Sequence, residues 1–257
     1  MWSDSSRVRY LPKTLEIAVN ALLDFIYPAC CILCNDPLRE HERTVCASCW
    51  GKLQVIRGPK CRLCGCPLLE PSTRCDNCRS WEVRFEKAVV LFAFSDMVRD
   101  MVHLLKYRGR RSLGLKLGRM LAEVASDEEA IDSMNYLVPI PLHSSRRRER
   151  GYNQSTLIAE GMSGPLQIPV RADLVIRKKN TRQQAKLNSA ERRTNLAAAF
   201  QVTDQDQTEG KQILLIDDIM TTGSTLDSCS QALLDAGAKR VWVAAVASPF
   251  QISVPGW

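Results

Sequence analysis

Residues 213–225 run Ile-Leu-Leu-Ile-Asp-Asp-Ile-Met-Thr-Thr-Gly-Ser-Thr, and this stretch decides the fold. The apolar run Ile213–Ile216 predicts a buried strand, with Asp217 and Asp218 at its carboxyl end. Apolar residues at helical spacing follow the polar turn, and another apolar run, at 241–247, predicts the next strand. The sequence therefore predicts a strand, a turn, a helix and a second strand, which together make one βαβ unit.

The turn after the two acids is suited to bind a phosphate beside a sugar. The first N–H groups of a helix have no partner within the helix and attract anions. Gly223 lets the backbone approach a ligand, and four hydroxyl residues add donors: Thr221, Thr222, Ser224 and Thr225. Carboxylates repel a phosphate, but they accept hydrogen bonds from the two hydroxyls of a ribose or bind Mg²⁺. The pattern predicts a ribose 5-phosphate site, and an ordinary capped helix after a core strand is the alternative.

The same segment resembles the signature with which type I phosphoribosyltransferases bind phosphoribosyl pyrophosphate (PRPP). The resemblance implies that Asp217 and Asp218 hold the ribose hydroxyls of Mg²⁺-bound PRPP, and that Thr221–Thr225 hold its 5-phosphate. It also implies an α/β fold of the type I phosphoribosyltransferase kind, with a mainly parallel sheet and flanking helices.

Cysteines are concentrated in one stretch, which holds ten of the eleven between Cys30 and Cys78. The chain is not expected to be secreted, so this spacing indicates a metal rather than disulfides. The motif Cys-x-Leu-Cys-x-x-Pro-Leu begins at Cys31 and recurs at Cys61, and each copy is followed by a further Cys-x-x-Cys pair. Two such pairs complete a tetrahedral Zn²⁺ site with no open position, which is typical of a structural site.

The repeat assigns the ligands and excludes Cys30 and Cys66. Cys30 aligns with Lys60 of the second copy, and Cys66 aligns with Asp36 of the first copy. The predicted zinc ligands are Cys31, Cys34, Cys46 and Cys49 at one site, and Cys61, Cys64, Cys75 and Cys78 at the other. An interleaved arrangement, in which pairs from different repeats share one ion, is the alternative.

Three regions are expected along the 257 residues: an N-terminal amphipathic helix at 1–28, a zinc-binding domain at 29–82 and a phosphoribosyltransferase-like domain at 83–257. Strands and helices alternate in the last region, as in parallel α/β sheets. We expect strands at 88–94 and 136–140, and helices at 98–107, 113–124, 153–162 and 190–200. No apolar run reaches 18 residues, so no integral membrane span is expected. The expected location is cytoplasmic, with peripheral contact with the inner membrane as the alternative.

Positive charge is concentrated in residues 141–193, which hold twelve Lys or Arg and four Asp or Glu. That balance of +8 exceeds the +7 of the whole chain, so the remaining residues sum to −1. Three interpretations are open: a solvated basic surface, a loop that neutralises pyrophosphate, or a surface for nucleic acid. Residues 177–193 are a candidate lid over the site.

Further segments extend the resemblance to nearly the whole chain. They include Leu105-Lys106-Tyr107-Arg108-Gly109, Pro139-Ile140-Pro141-Leu142-His143 and Arg148-Glu149-Arg150-Gly151-Tyr152-Asn153-Gln154. Together with the cysteine motifs, they resemble the ComF/GntX-like family of phosphoribosyltransferase-fold proteins. That resemblance implies a role in natural competence, in the uptake of single-stranded DNA into the cytoplasm.

Our hypothesis for the site is that the pyrophosphate of PRPP lies near the turn of Pro139 and Pro141, with Lys106, Arg108 or Arg150 as cations. The resemblance implies a phosphoribosyltransferase whose acceptor the sequence does not disclose. His143 is an acid or base candidate for which a structural role is at least as well supported.

The alternative is a non-catalytic protein that binds single-stranded DNA and uses the fold as a scaffold or nucleotide sensor. In that case the zinc-binding domain is a candidate adaptor for a DNA-uptake helicase or channel protein.

Overall fold

The computed structural model describes residues 29–39, 42, 44–68, 74–178 and 199–248. The predicted amphipathic helix at 1–28 lies outside the described residues, and so do 190–198 of a second predicted helix. The chain forms two compact units, Met1–Lys52 and Leu53–Trp257, which are described separately here. The predicted domain boundaries at 28/29 and 82/83 stay predictions.

In the smaller unit, the first cysteine repeat folds as a tight knuckle followed by a short helix. The N–H of Cys31 donates to the Asp36 carbonyl (2.7 Å), and a β-bridge joins Cys30 to Pro37. Helix α1 (Ala47–Gly51) begins after Cys46, whose Sγ accepts the N–H of Cys49 (3.4 Å). This capping bond holds the second pair of cysteines in one turn.

The second repeat, in the larger unit, reproduces the same knuckle. The N–H of Cys61 donates to the carbonyl of Cys66 (2.8 Å), and a β-bridge joins Lys60 to Pro67. A 3₁₀ turn (Asp76–Cys78) takes the place of the short helix in the first repeat. The sequence repeat is therefore also a repeat of backbone structure.

A parallel sheet forms the centre of the larger unit, with the strand order β1-β6-β5-β2. The strands are β1 (Lys87–Ala93), β2 (Tyr136–Pro139), β5 (Gln212–Ile219) and β6 (Arg240–Ser248). Their residues are buried in almost continuous runs because helices and the second repeat cover the sheet. The phosphoribosyltransferase-type parallel sheet predicted from the sequence is confirmed.

Five helices are described in the larger unit: α2 (Asp96–Tyr107), α3 (Arg111–Ser126), α4 (Ser144–Arg150), α5 (Gln154–Leu166) and α6 (Ser224–Asp235). Helices α3 and α5 cross at Gly118 and Gly161, where a Cβ on either glycine would overlap the backbone of the other helix. Helix α4 was not predicted, because its arginine-rich sequence has no apolar face to give it a period.

A separate two-stranded antiparallel sheet joins β3 (Val175–Arg177) to β4 (Phe200–Val202). The prediction of a helix through Phe200 is wrong at that residue, which begins β4. Pairing with β3 overrides the local helical pattern, because Phe200 is buried in the core there.

The second cysteine repeat is part of the core of the larger unit. Cys61, Cys64 and Cys78 are fully buried in the same apolar cluster as Val90 and Val243 of the sheet. The Ala88 N–H donates to the carbonyl of Arg62 (2.7 Å), and the Ile56 N–H donates to that of Leu91 (2.9 Å), so this segment is hydrogen-bonded to β1.

Glu128 adds an ion-pair clamp between the second repeat and the sheet. It pairs with Lys60 (2.6 Å), the residue before Cys61, and with Lys87 at the start of β1. Burial opposes ionisation of Glu128, but the two lysines outweigh it and lower the pKa of this carboxyl below its ordinary value.

Among the residues that the structure describes, no helix combines the length and the apolar character needed to cross a bilayer.

Candidate functional site

The carboxyl ends of β2 and β5 lie side by side, so the residues that follow them meet at one edge of the sheet. Pro139 is in register with Ile216, and the Ile140 N–H donates to the carbonyl of Ile216 (2.9 Å). Ligands in open parallel sheets bind at this edge. The structure thus brings the turn of Pro139 and Pro141 to Asp217 and Asp218, called the acid pair here.

Asp217 and Asp218 belong to β5 itself, which continues to Ile219, three residues beyond the predicted apolar run. Asp217 Oδ1 accepts the N–H of Asp218 (2.9 Å) and the hydroxyl of Ser155 (3.1 Å). Asp218 Oδ1 accepts the N–H of Ile219 (2.7 Å). These bonds fix both carboxylates at the sheet edge.

Lys106, at the end of α2, forms an ion pair with the acid pair. Its Nζ lies 2.8 Å from Oδ2 of Asp218, whose side chain is only 6% exposed. An ion pair as buried as this positions both groups more than it adds stability. The structure therefore places Lys106 beside the two acids, and its role toward the pyrophosphate stays a prediction.

Burial, together with the neighbouring Asp218 carboxylate, raises the pKa of the Asp217 carboxyl to about 7. The Asp218 N–H, Lys106 and Ser155 oppose the shift without cancelling it. Asp217 is therefore partly protonated near neutral pH.

The loop of residues 221–225, called the Thr-rich loop here, turns directly into α6. Gly223 adopts the left-handed conformation at the N-cap of α6 (φ 69°) and has no side chain to cap the helix. Thr222 and Ser224 share a hydrogen bond between their hydroxyls (2.8 Å), and both Thr221 and Thr222 are exposed. The N-terminus of α6 is thus open to an anion.

Trp81 covers one side of this loop. A Cβ placed on Gly223 would lie 2.5 Å from Cζ2 and 2.7 Å from Cη2 of the indole, so the ring packs directly on the glycine. Trp81 comes three residues after the zinc-ligand candidate Cys78 and makes an edge-to-face contact with Phe85 (ring centroids 5.8 Å apart).

Arg150 contacts aromatic and amide groups beside the site. Its guanidinium lies 4.8 Å from the ring centroid of Tyr107 and donates to the Tyr107 hydroxyl (3.2 Å) and to Gln154 (3.1 Å). The Tyr152 hydroxyl donates to the carbonyl of Leu105. The segments 105–109 and 148–154 are therefore joined to each other, while Arg108 is exposed.

His143 is the N-cap of α4, where its Nδ1 accepts the N–H of Ser145 (3.3 Å). This supports the structural role over that of an acid or base. The next turn of α4 exposes Arg146, Arg147 and Arg148 to solvent. An open cleft of about 250 Å³ lies beside them, lined by residues that include Arg111, Pro141, Arg147, Tyr152, Asn153 and Glu160.

Arg177, at the end of β3, lies in the electrostatic field of the acid pair. Burial lowers the pKa of its guanidinium, the nearby Arg146 lowers it further, and the Asp217 carboxylate raises it. Its guanidinium carbon also lies 5.4 Å from the ring centroid of Phe200. Of the predicted lid, the described residues include Arg177 and Lys178, and the other residues of the lid lie outside them.

Both cysteine tetrads have the geometry of a structural zinc site, and each belongs to a single repeat, so the interleaved alternative is wrong. The ligand atoms of each tetrad lie within 4.8 Å of one another. The Sγ atoms of Cys34 and Cys46 are 3.6 Å apart, as are those of Cys64 and Cys75. Tetrahedral Zn–S bonds of about 2.3 Å require sulfur atoms to lie about 3.8 Å apart.

Backbone N–H groups stabilise the thiolate form of one sulfur in each tetrad, at Cys31 and at Cys61. The N–H of Cys46 donates to Cys31 Sγ (3.4 Å), and the N–H of Cys75 donates to Cys61 Sγ (3.3 Å). Burial would raise the pKa of Cys31, but the N–H groups around its sulfur outweigh that effect and lower it to about 6. Thiolates are the form that binds zinc.

Two family models match the chain. Residues 22–79 match a double zinc ribbon domain, and residues 153–251 match a phosphoribosyl transferase domain. The chain is 29% identical to Competence protein F of Haemophilus influenzae, over 83% of this chain and 94% of that protein. It is 30% identical to Competence protein ComFC of Bacillus subtilis, over 82% and 91% respectively.

The chain belongs to the ComF/GntX-like family. Another relative of this ComF/GntX-like protein is the DNA utilization protein YhgH of Salmonella typhimurium (29% identity, 84% of this chain, 95% of that protein). Among solved structures, the glutamine PRPP amidotransferase of B. subtilis is 20% identical over 55% of this chain and 30% of that chain, with a TM-score of 0.38.

Sequence reasoning missed two residues of the ComF/GntX-like site. Ser155 lies 62 positions from its partner Asp217, and Trp81 lies far along the chain from Gly223. The sequence signal for Ser155 was its position just beyond Asn153, at the start of α5. The Asn153 side chain accepts the Ser155 N–H (3.1 Å) and donates to the carbonyl of Ile140 (2.9 Å). Asn153 thereby joins α5 to the turn after β2.

Proposed function

We propose that this protein binds Mg²⁺-PRPP at the sheet edge where β2 and β5 end, and that it acts in natural competence. The observation that carries the first part is the acid pair, held by Ser155 and Lys106 and followed by a helix N-terminus without a side-chain cap. The names of the relatives, which refer to competence and to DNA utilization, support the second part.

The 5-phosphate of PRPP lies against the Thr-rich loop, where the first N–H groups of α6 and the hydroxyls of Thr221 and Thr222 donate to it. The ribose hydroxyls donate to Asp217 and Asp218. Within the described residues, the Asp218 N–H and the Ser155 hydroxyl both donate to Asp217 Oδ1, which leaves Oδ2 for the ligand. The pyrophosphate lies by the turn of Pro139 and Pro141.

The reaction that suits this arrangement is phosphoribosyl transfer to an acceptor that the site does not identify. Cleavage at C1 of the ribose develops positive charge on the sugar and negative charge on the leaving pyrophosphate. The fixed carboxylates stabilise the first, and Arg177, with Lys106 and Arg150 nearby, is the cation set for the second. Mg²⁺ supplies charge neutralisation of the pyrophosphate when it is bound with PRPP.

Titration calorimetry tests the binding site directly. Zinc-loaded protein is titrated with PRPP and MgCl₂, and compared with the double variant Asp217→Asn/Asp218→Asn. We expect saturable binding by the native protein and none by the double variant, because amides cannot replace the charged acceptors. Release of pyrophosphate in the presence of candidate bases then tests transfer.

The matched control is Asp127→Asn/Asp206→Asn, which makes the same change in charge at two exposed positions and is expected to bind like the native protein. Unchanged PRPP binding by Asp217→Asn/Asp218→Asn would overturn the site assignment. Binding without pyrophosphate release for any base would favour a nucleotide sensor over an enzyme.

Single-stranded DNA is the second candidate ligand, and the exposed face of α4 favours it. Arg146, Arg147 and Arg148 are all exposed, and none of them forms an ion pair within the described part of the chain. The cleft beside them contains Tyr152, against which the Arg111 guanidinium lies (5.7 Å from the ring centroid). One tyrosine makes a small stacking surface, so the affinity is mainly electrostatic.

The triple variant Arg146→Glu/Arg147→Glu/Arg148→Glu tests this second candidate. We expect weaker binding of a fluorescent oligonucleotide. The slope of log affinity against log salt concentration should become shallower by about 2, because each phosphate contact contributes about 0.7. The triple Lys variant is the control, since it keeps the charge. Equal DNA affinity and slope in the Glu variant would remove α4 from the interface, and PRPP binding should be unchanged in all three proteins.

A location in the cytoplasm, with peripheral contact with the inner membrane as the alternative, follows from this role. A helicase or channel protein of DNA uptake is the partner that the zinc-ribbon domain would recruit. Co-purification with and without the first cysteine repeat tests that recruitment.

A further inference from the structure

The segment that leaves the second cysteine repeat is docked on α6, directly beside the Thr-rich loop. The Arg84 N–H donates to Asp227 Oδ1 (2.6 Å), and its guanidinium donates to Gln231, one turn further along α6. Both contacts come from Arg84 and hold this residue against the first two turns of α6. The indole of Trp81 is thereby brought to the first residue before α6.

The contact between Trp81 and Gly223 concerns the one loop residue whose backbone is left-handed. The indole occupies the space that any side chain at position 223 would need. Gly223 also precedes the first N–H groups of α6, so its φ of 69° sets the direction in which those groups point. A rigid aromatic ring on this residue restricts the conformations open to the loop.

The indole is itself held from the cysteine side. The backbone N–H of Trp81 donates to the carbonyl of Cys78 (3.3 Å), and the indole ring packs edge to face on Phe85, which is 2% exposed. Cys78 is fully buried within the tetrad of the second repeat. Contacts therefore run from that tetrad to the loop through Trp81, which is partly buried against the apolar cluster.

We propose that Trp81 is a positioning residue for the Thr-rich loop, so that the second zinc ribbon forms a structural wall of the phosphate site. The proposal rests on the proposed function for the identity of its ligand, PRPP. An enzyme or sensor that binds phosphate through backbone N–H groups gains affinity when those groups are held in place before binding. The ribbon supplies that restraint through one indole.

Removal of the ring takes away the side chain that packs on Gly223, so the loop can leave the left-handed conformation more easily. We expect the amides of Met220 and Asp227, which flank the loop and donate to the carbonyls of Ala247 (2.9 Å) and Gly223 (2.8 Å), to exchange with solvent about tenfold faster in Trp81→Leu. We expect PRPP to bind about tenfold more weakly. Trp81→Phe keeps an aromatic ring at the site and should recover part of both properties.

Hydrogen exchange followed by mass spectrometry, together with PRPP titration, tests the proposal on the full zinc-loaded chain. The matched control is Trp242→Leu, which makes the same change at a buried tryptophan of β6 (4% exposed). It should lower the melting temperature as Trp81→Leu does, but leave the exchange of the loop within twofold of native.

Two results of the exchange experiment would overturn the proposal: native exchange of the loop in Trp81→Leu, or equally fast exchange in Trp81→Leu and Trp242→Leu. The exchange comparison needs no ligand. If the native protein failed to bind PRPP, the proposed function would fall while loop exchange still decided the role of Trp81. If the native protein bound PRPP and Trp81→Leu bound it equally well, the positioning role would be wrong and the proposed function would stand.

Discussion

At Asp217, folding stability favours the protonated carboxyl, whereas the proposed ligand site uses the ionised carboxylate. Burial raises the pKa of its carboxyl to about 7, whereas an exposed Asp titrates near 4. The folded protein therefore holds an extra proton between about pH 4 and pH 7. The stabilisation from this group is complete below that range and is lost as the pH rises through it.

Asp217→Asn should remove this pH-dependent loss of stability, because an amide does not titrate. The amide oxygen can still accept the hydrogen bonds from Ser155 and from the Asp218 N–H. We expect its stability advantage over the native protein to grow by about 1 kcal/mol from pH 6 to pH 7.5 and to level off above pH 8. Urea unfolding at four pH values measures it, with Asp206→Asn as the exposed control. An advantage that does not change with pH would contradict the raised pKa.

At the scale of elements, helices α3 and α5 pack through backbone contact. A Cβ on Gly118 would overlap the Ile158 carbonyl, and one on Gly161 would overlap that of Leu115. Close approach of this kind lets α5 carry Ser155 to the end of β5. The same contact makes the crossing intolerant of even one added methyl group.

Gly118→Ala should lower the free energy of unfolding by about 1–3 kcal/mol, because overpacking outweighs the gain in helix propensity. Gly164→Ala is the matched control, since a Cβ there meets nothing within 4 Å. It should be neutral or stabilise by up to about 1 kcal/mol. Equal effects of the two changes, in denaturant unfolding, would show that the crossing has room to move.

The elements that sequence reasoning found are those with a strong local pattern. The continuous apolar runs of β1, β5 and β6 and the cysteine repeat each carry their own signal. Strands β3 and β4 have three residues each, too few for a period, and α4 exposes its arginines on all sides. The contacts of Ser155 with Asp217 and of Trp81 with Gly223 depend on strand order and docking, which no short segment of sequence contains.

At the scale of the whole molecule, the two cysteine tetrads differ in what surrounds them. The second lies in the apolar cluster of the larger unit together with Val90 and Val243, and the first lies in the smaller unit. Zinc binding supplies on the order of 10 kcal/mol to such small domains. Loss of the second ion should therefore weaken the sheet, and loss of the first should not.

Cys61→Ser/Cys64→Ser should unfold or loosen the larger unit, seen as dye binding and as loss of near-ultraviolet circular dichroism. Cys31→Ser/Cys34→Ser is the matched control and should retain the native signal of that unit, with one zinc ion bound per chain by elemental analysis. If both variants lost the signal to the same extent, the division into two units would not describe the stability of the protein.

The strand order has a consequence for synthesis on the ribosome. Strand β1 pairs with β6, which lies some 150 residues later, so β1 leaves the ribosome long before its partner exists. Domains ordinarily begin to fold as they emerge, and an unpaired apolar strand invites aggregation. Residues 53–68 emerge just ahead of β1 and bond to it at Ala88 and Leu91. The second cysteine repeat is therefore positioned to cover nascent β1 until β6 is translated.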